Sequence, residues 1–134
     1  MPHIAKITFC GGTNTVTGAN FLLEIDDKSI LVDCGLNQGM KLAEEVNWIP
    51  FPYDPGKIDI LFVTHAHIDH IGRIPKLIHE GFKGMIYSTK PTRALTGPML
   101  EDTAGILSKS KHFNLHKIYS EENISKAFLQ WLSY

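Results

Sequence analysis

Ile58-Asp59-Ile60-Leu61-Phe62-Val63-Thr64-His65-Ala66-His67-Ile68-Asp69-His70-Ile71-Gly72 sets an apolar, strand-like run directly before His65, His67, Asp69 and His70, all side chains able to bind a metal ion. In an extended or tightly turning backbone, residues two apart project to one side, so His65 and His67 can offer imidazole nitrogens to the same ion. Asp69 and His70 follow one turn later, where a helix is expected to begin, an offset that suits a second ion better than the first. Neutral imidazole and carboxylate are ligands that zinc, manganese or iron accept, and a site with open coordination positions can activate water. Such a cluster gains meaning from its context, and a strand running into a helix is the right one.

Upstream of this stretch, residues 4–10, 21–25 and 29–34 read as strands, the last two joined by the short polar connection Asp26-Asp27-Lys28. The glycine-bounded loop 11–18 is expected to be a tight turn needing positive φ rather than a phosphate cradle. Asp33 ends the apolar run Ile30-Leu31-Val32. An acidic side chain there needs a partner if the strand is buried, and the expected role is an acceptor that orients a metal-ligating histidine or a water. Glycines and prolines punctuate residues 35–57, which predicts a crossing loop with room only for a short helix around 40–46.

Downstream, apolar residues at 71, 74, 77 and 78 predict a helix over 71–80, with Pro75 tolerated in its first turn. Residues 84–88 read as a short buried strand and 92–109 as a longer helix. Ser120 caps a last helix with Ile124, Ala127, Phe128 and Trp131 as its apolar stripe. Strand and helix alternate in order, which argues for an α/β fold. His112 and His116 have the spacing of a zinc pair, but Lys109, Lys111 and Lys117 beside them disfavour a bound cation, and His3 and His79 have no ligand context.

The 134 residues are of single-domain size, and 43% hydrophobic content supplies a core. No run approaches the roughly 20 apolar residues of a membrane span, and the first residues lack the plan of a signal peptide, so a cytoplasmic location without membrane contact is expected. Cys10 and Cys34 each end an apolar run and are expected to be reduced thiols. Net charge is −1, but residues 1–70 carry −5 and residues 71–117 carry +5. A basic segment beside an acidic metal-binding one suits a polyanionic substrate.

The run Thr64-His65-Ala66-His67-Ile68-Asp69-His70-Ile71-Gly72 resembles the metallo-β-lactamase superfamily, whose members carry H-x-H-x-D-H after a strand. Thr15-Val16-Thr17-Gly18, the segment 31–39, Pro50-Phe51-Pro52-Tyr53-Asp54-Pro55 and the segment 81–89 resemble the β-CASP branch of RNA-processing nucleases. The resemblance implies an αββα sandwich, with His65 and His67 on a first zinc and Asp69 and His70 on a second. Asp33 would match the family's first-motif aspartate, and Asp69 would also serve catalysis by accepting a proton or orienting the nucleophile. It further implies RNA as substrate and in-line attack at phosphorus. The family places another histidine ligand, a bridging aspartate and a final histidine further along, and none has a counterpart here. Residues 1–134 are therefore expected to be the N-terminal part of a metallo-β-lactamase domain, the first half of its mixed sheet with helices packed on it. The β-CASP domain and C-terminal half are expected to be absent, and activity to need that missing half or a companion chain. Two alternatives remain at this point: a small-molecule hydrolase of thioesters or lactams, and a non-catalytic fragment or partner subunit that binds RNA or a companion chain.

Overall fold

The computed structural model describes residues 4–39, 45–110 and 113–134. Its first three strands are β1 (Ala5–Gly11), β2 (Asn20–Ile25) and β3 (Lys28–Val32), paired antiparallel in sequence order. Ile25 pairs with Lys28, so Asp26 and Asp27 alone make the turn, Asp26 with φ 53°. Aspartate is among the residues that tolerate this left-handed conformation. A long connection then brings in β4 (Ile60–Phe62), parallel to β3. The helices α1 (Ile68–Ile71) and α2 (Ile74–His79) lead to β5 (Met85–Ser88), again parallel. Three more helices, α3 (Lys90–Leu107), α4 (Leu115–Ile118) and α5 (Glu121–Leu129), precede β6 (Trp131–Ser133), parallel to β5. The sheet order is β1-β2-β3-β4-β5-β6. A mixed sheet with helices packed on it is the class expected from the alternation of elements.

The register explains where the core lies. Leu22, Leu31, Leu61, Ile86 and Trp131 pair in one row across β2 to β6, and all are buried. They share a cluster with Ile71 of α1, Ile74, Leu77 and Ile78 of α2, Leu100 of α3, and Ile124 and Ala127 of α5. The helices therefore cover this face. Successive side chains on a strand point to opposite faces, so the next row, Phe9-Phe21-Val32-Phe62-Tyr87-Leu132, lies on the other side. The row Ile7-Leu23-Ile30-Ile60-Met85 lies with it. Phe9 is 64% exposed, Phe62 43% and Leu132 45%, so this second face is apolar and open among the described residues.

Two expectations need correction. The helix predicted over 71–80 is two helices: Gly72 ends α1, Arg73 departs from helical geometry, and α2 restarts at Ile74. Pro75 is the cause, because its ring would collide with the carbonyl of Ile71 in an unbroken helix. It is acceptable in the first turn of α2, where no intrahelical N–H bond is due. Trp131 is not part of the last helical stripe. It opens β6, pairs with Ile86 and donates its indole N–H to Ser88 Oγ at 2.8 Å. The helix expected around 40–46 falls largely outside the described residues, as does His112 of the histidine pair. His116 lies in α4 and is exposed.

Cys10 and Cys34 are free thiols, and burial pushes the Cys34 pKa from 9.0 up to about 12. The folded state thus holds this proton more tightly than the unfolded chain. Its contribution to stability is complete below pH about 9 and is lost as pH rises toward about 12. Urea midpoints measured between pH 8 and 11 should fall with pH in wild type, and fall less in Cys34→Ala. Truncating Leu61, fully buried at the centre of the covered row, should cost about 2–5 kcal/mol in the same assay. Phe62→Ala should cost less, since the Phe62 side chain is already partly exposed to water.

Candidate metal centre

The site begins where β3 and β4 end. Asp33 leaves β3 with φ 60°, a left-handed turn that throws the following residues toward α1. Its backbone remains satisfied: its N–H donates to the Phe62 carbonyl at 2.8 Å and its carbonyl accepts from Asn20 Nδ2 at 2.9 Å. The carbonyls of Ile68, Asp69 and His70 accept from the N–H groups of Leu36, Ala19 and Cys34 at 2.9–3.1 Å. A one-turn helix is not stable by itself. α1 is held by this lacing instead. The approach is close enough that a Cβ on Gly35 would overlap the Asp69 carbonyl.

The Asp33 carboxylate is 2% exposed and meets three donors. Its Oδ1 accepts from the Thr64 N–H at 2.8 Å, and its Oδ2 lies 2.7 Å from both Thr64 Oγ1 and His70 Nδ1. With Nδ1 of His70 engaged, Nε2 is the nitrogen left for a ligand, and it lies 3.5 Å from Asp69 Oδ2. The His65 ring packs against both other imidazoles of the motif, its centroid 4.0 Å from His70 and 4.8 Å from His67. His67 caps α1 with its backbone and leaves its exposed side chain free of that duty. The structure therefore brings His65, His67, Asp69, His70 and Asp33 together at one end of the sheet.

In chemical kind this set fits a cation: imidazole nitrogens with a carboxylate beside them and a buried carboxylate behind. In position it is incomplete. Among the described residues no group of three or more His, Cys, Asp or Glu side chains is placed to enclose one ion. The patch is open rather than enclosed, and the cavity of about 780 Å³ bordered by Leu36, Trp48, Ile106 and Phe113 contains none of its donors.

Several contributors escaped the sequence reading. Thr64 gave a local sign, since its hydroxyl stands beside the first motif histidine. Asn20, at the start of β2, gave none. It accepts from Tyr53 Oη at 2.8 Å while holding the Asp33 carbonyl. Arg73 donates Nε–H to the Gly35 carbonyl and is buried, and one of its terminal guanidinium nitrogens has no hydrogen-bond partner among the described residues. Lys76 is buried too, its ammonium 3.7 Å from the Phe51 ring centre, 2.7 Å from the Ile49 carbonyl and 3.0 Å from Glu80. These two cations of the basic segment serve the interior and not a surface for polyanions.

Comparison with known proteins follows the same lines. Residues 14–122 match the metallo-beta-lactamase superfamily. Ribonuclease TTHA0252 of Thermus thermophilus is 40% identical over 78% of this chain and 24% of its own length. Transcription termination factor FttA of Methanosarcina mazei is 40% identical over 67% of this chain and 14% of its own. The chain thus spans a quarter or less of either relative. A crystal structure of a protein of unknown function from Enterococcus faecalis V583 shares the fold, with TM-score 0.53 and 21% identity over 84% of this chain and 32% of that one. A ribonuclease and a termination factor among the relatives agree with the β-CASP resemblance. With the family match spanning most of the sequence and the histidine motif seated at the ends of β3 and β4, the chain belongs to the metallo-beta-lactamase superfamily.

Proposed function

We propose that this chain carries the metal-binding part of a zinc-dependent phosphodiester hydrolase acting on RNA, a ribonuclease of the β-CASP kind. The observation that supports it most is the pairing of His70 with a buried carboxylate, which leaves Nε2 turned outward beside Asp69. In this reading His65 and His67 hold a first zinc and Asp69 and His70 a second, with Asp33 orienting His70 from behind. Zinc, when bound, supplies Lewis acidity for attack at phosphorus. Asp69 accepts a proton from the attacking water at Oδ2, or orients that water. RNA as substrate is favoured by the 40% identity to a ribonuclease.

The reading includes a second component. An apolar sheet face spanning β1 to β6 resembles a domain interior cut open. We take residues 1–134 as the N-terminal part of a metallo-β-lactamase domain whose remaining half, or a companion chain, covers that face and brings further ligands to the zincs. The β-CASP domain lies outside these residues in the same reading. Free thiols at Cys10 and Cys34 suit the cytoplasm. No helix among the described residues is long and apolar enough to cross a membrane.

The test is cleavage of a single-stranded RNA by the protein with its covering half or companion present. Chelation should abolish cleavage and added zinc restore it, and cleavage that survives chelation overturns the assignment. His67→Ala should lower kcat/KM by more than the roughly 10–100-fold seen for residues that act behind a ligand.

A further inference from the structure

We propose that Thr64 is a positioning residue: its hydroxyl links the Asp33 carboxylate to His65 and holds that ring as the Nδ1–H tautomer, leaving Nε2 as its donor atom. The number of available protons fixes the direction of each bond. Asp33 as a carboxylate only accepts, and a threonine hydroxyl has a single proton to give. Thr64 Oγ1 stands 2.7 Å from Asp33 Oδ2 and 3.0 Å from His65 Nδ1. Were the hydroxyl proton given to His65, two oxygen lone pairs would face each other at 2.7 Å. The proton therefore goes to Asp33, and Thr64 must accept from His65 Nδ1–H. Asp33 also accepts from His70 Nδ1 at 2.7 Å. One buried carboxylate thereby sets both rings, His70 directly and His65 through Thr64, so that two imidazoles 4.0 Å apart each keep Nε2 unprotonated.

The burial of Thr64 does not demand this hydroxyl. The residue is exposed, so valine can replace it without a cavity, and the Thr64 N–H to Asp33 Oδ1 survives the change. Besides donating to Asp33, the hydroxyl provides a tether for His65. For its purpose the inference rests on the metal reading above, but its first test does not.

Nitrogen-15 spectra of the metal-free protein at about pH 8.5, well above the ordinary imidazole value of about 6.5, report each tautomer. Wild type and Thr64→Ser should show His65 protonated at Nδ1, whereas Thr64→Val should move it toward the Nε2–H form. His70 should stay Nδ1–H in all three, because its bond to Asp33 is direct. An unchanged His65 in Thr64→Val, or no return in Thr64→Ser, overturns the proposal. Competition with a chromophoric chelator then reads zinc affinity, expected to weaken by about 10–100-fold in Thr64→Val and to recover in Thr64→Ser. Failure of zinc to bind any of the three would overturn the metal reading while the tautomer assignment stood.

Discussion

The arrangement depends on making a buried carboxylate tolerable. A carboxylate withdrawn from water costs several kcal/mol unless donors replace its hydration. Asp33 has three, drawn from Thr64 just past the end of β4 and from a helix 37 residues away in sequence. Each of these bonds ties down a segment the site needs. Thr64 fixes the exit of β4, His70 fixes α1, and the left-handed backbone at Asp33 sends Cys34 and Gly35 beneath that helix. The donors that make the charge acceptable are also the groups whose orientation governs the motif.

The sequence discloses this unevenly. Strands β2 to β5 are legible because apolar runs end at turn residues, and α5 because its apolar spacing and Ser120 cap agree; α3 is legible as a helix, but not its buried side, since Leu95 and Ile106 stand exposed. β6 is not, since Trp131-Leu132-Ser133 is too short to show an alternation and follows a helix whose apolar spacing extends to Trp131. The break between α1 and α2 was half legible. Pro75 announced a restart, but the helical period bridged the gap. The histidine motif could be read from its spacing. The bonds from His70 and Thr64 to Asp33 could not, because contact between distant segments leaves no local period in the letters.

Charge was the least reliable guide. The basic character of residues 71–117 suggested a surface, yet Arg73 and Lys76 flank Phe51 inside the protein. Burial lowers the Lys76 pKa, and its bond and proximity to Glu80 oppose the shift. A cation whose hydrogen bonds end on the Ile49 carbonyl and Glu80 belongs to the loop 35–57 and to α2, and its charge is spent before any ligand arrives. Formal charge along a chain cannot distinguish such residues from Lys83 or Lys90, which are exposed.

The two apolar faces have a consequence for folding fidelity. In most sheets a strand that slips by one residue turns its oily side to water, and the penalty corrects the error. Here Ile30-Leu31-Val32 and Ile60-Leu61-Phe62 are apolar at every position, so a slipped pairing forfeits little of that protection. Alignment must then be enforced by polar pins at the strand ends: Asp59 Oδ2 accepts from the Ser29 N–H at 2.9 Å at one end, and Asp33 Oδ1 accepts from the Thr64 N–H at 2.8 Å at the other. The carboxylate that organises the histidines also serves as a proofreader of strand alignment.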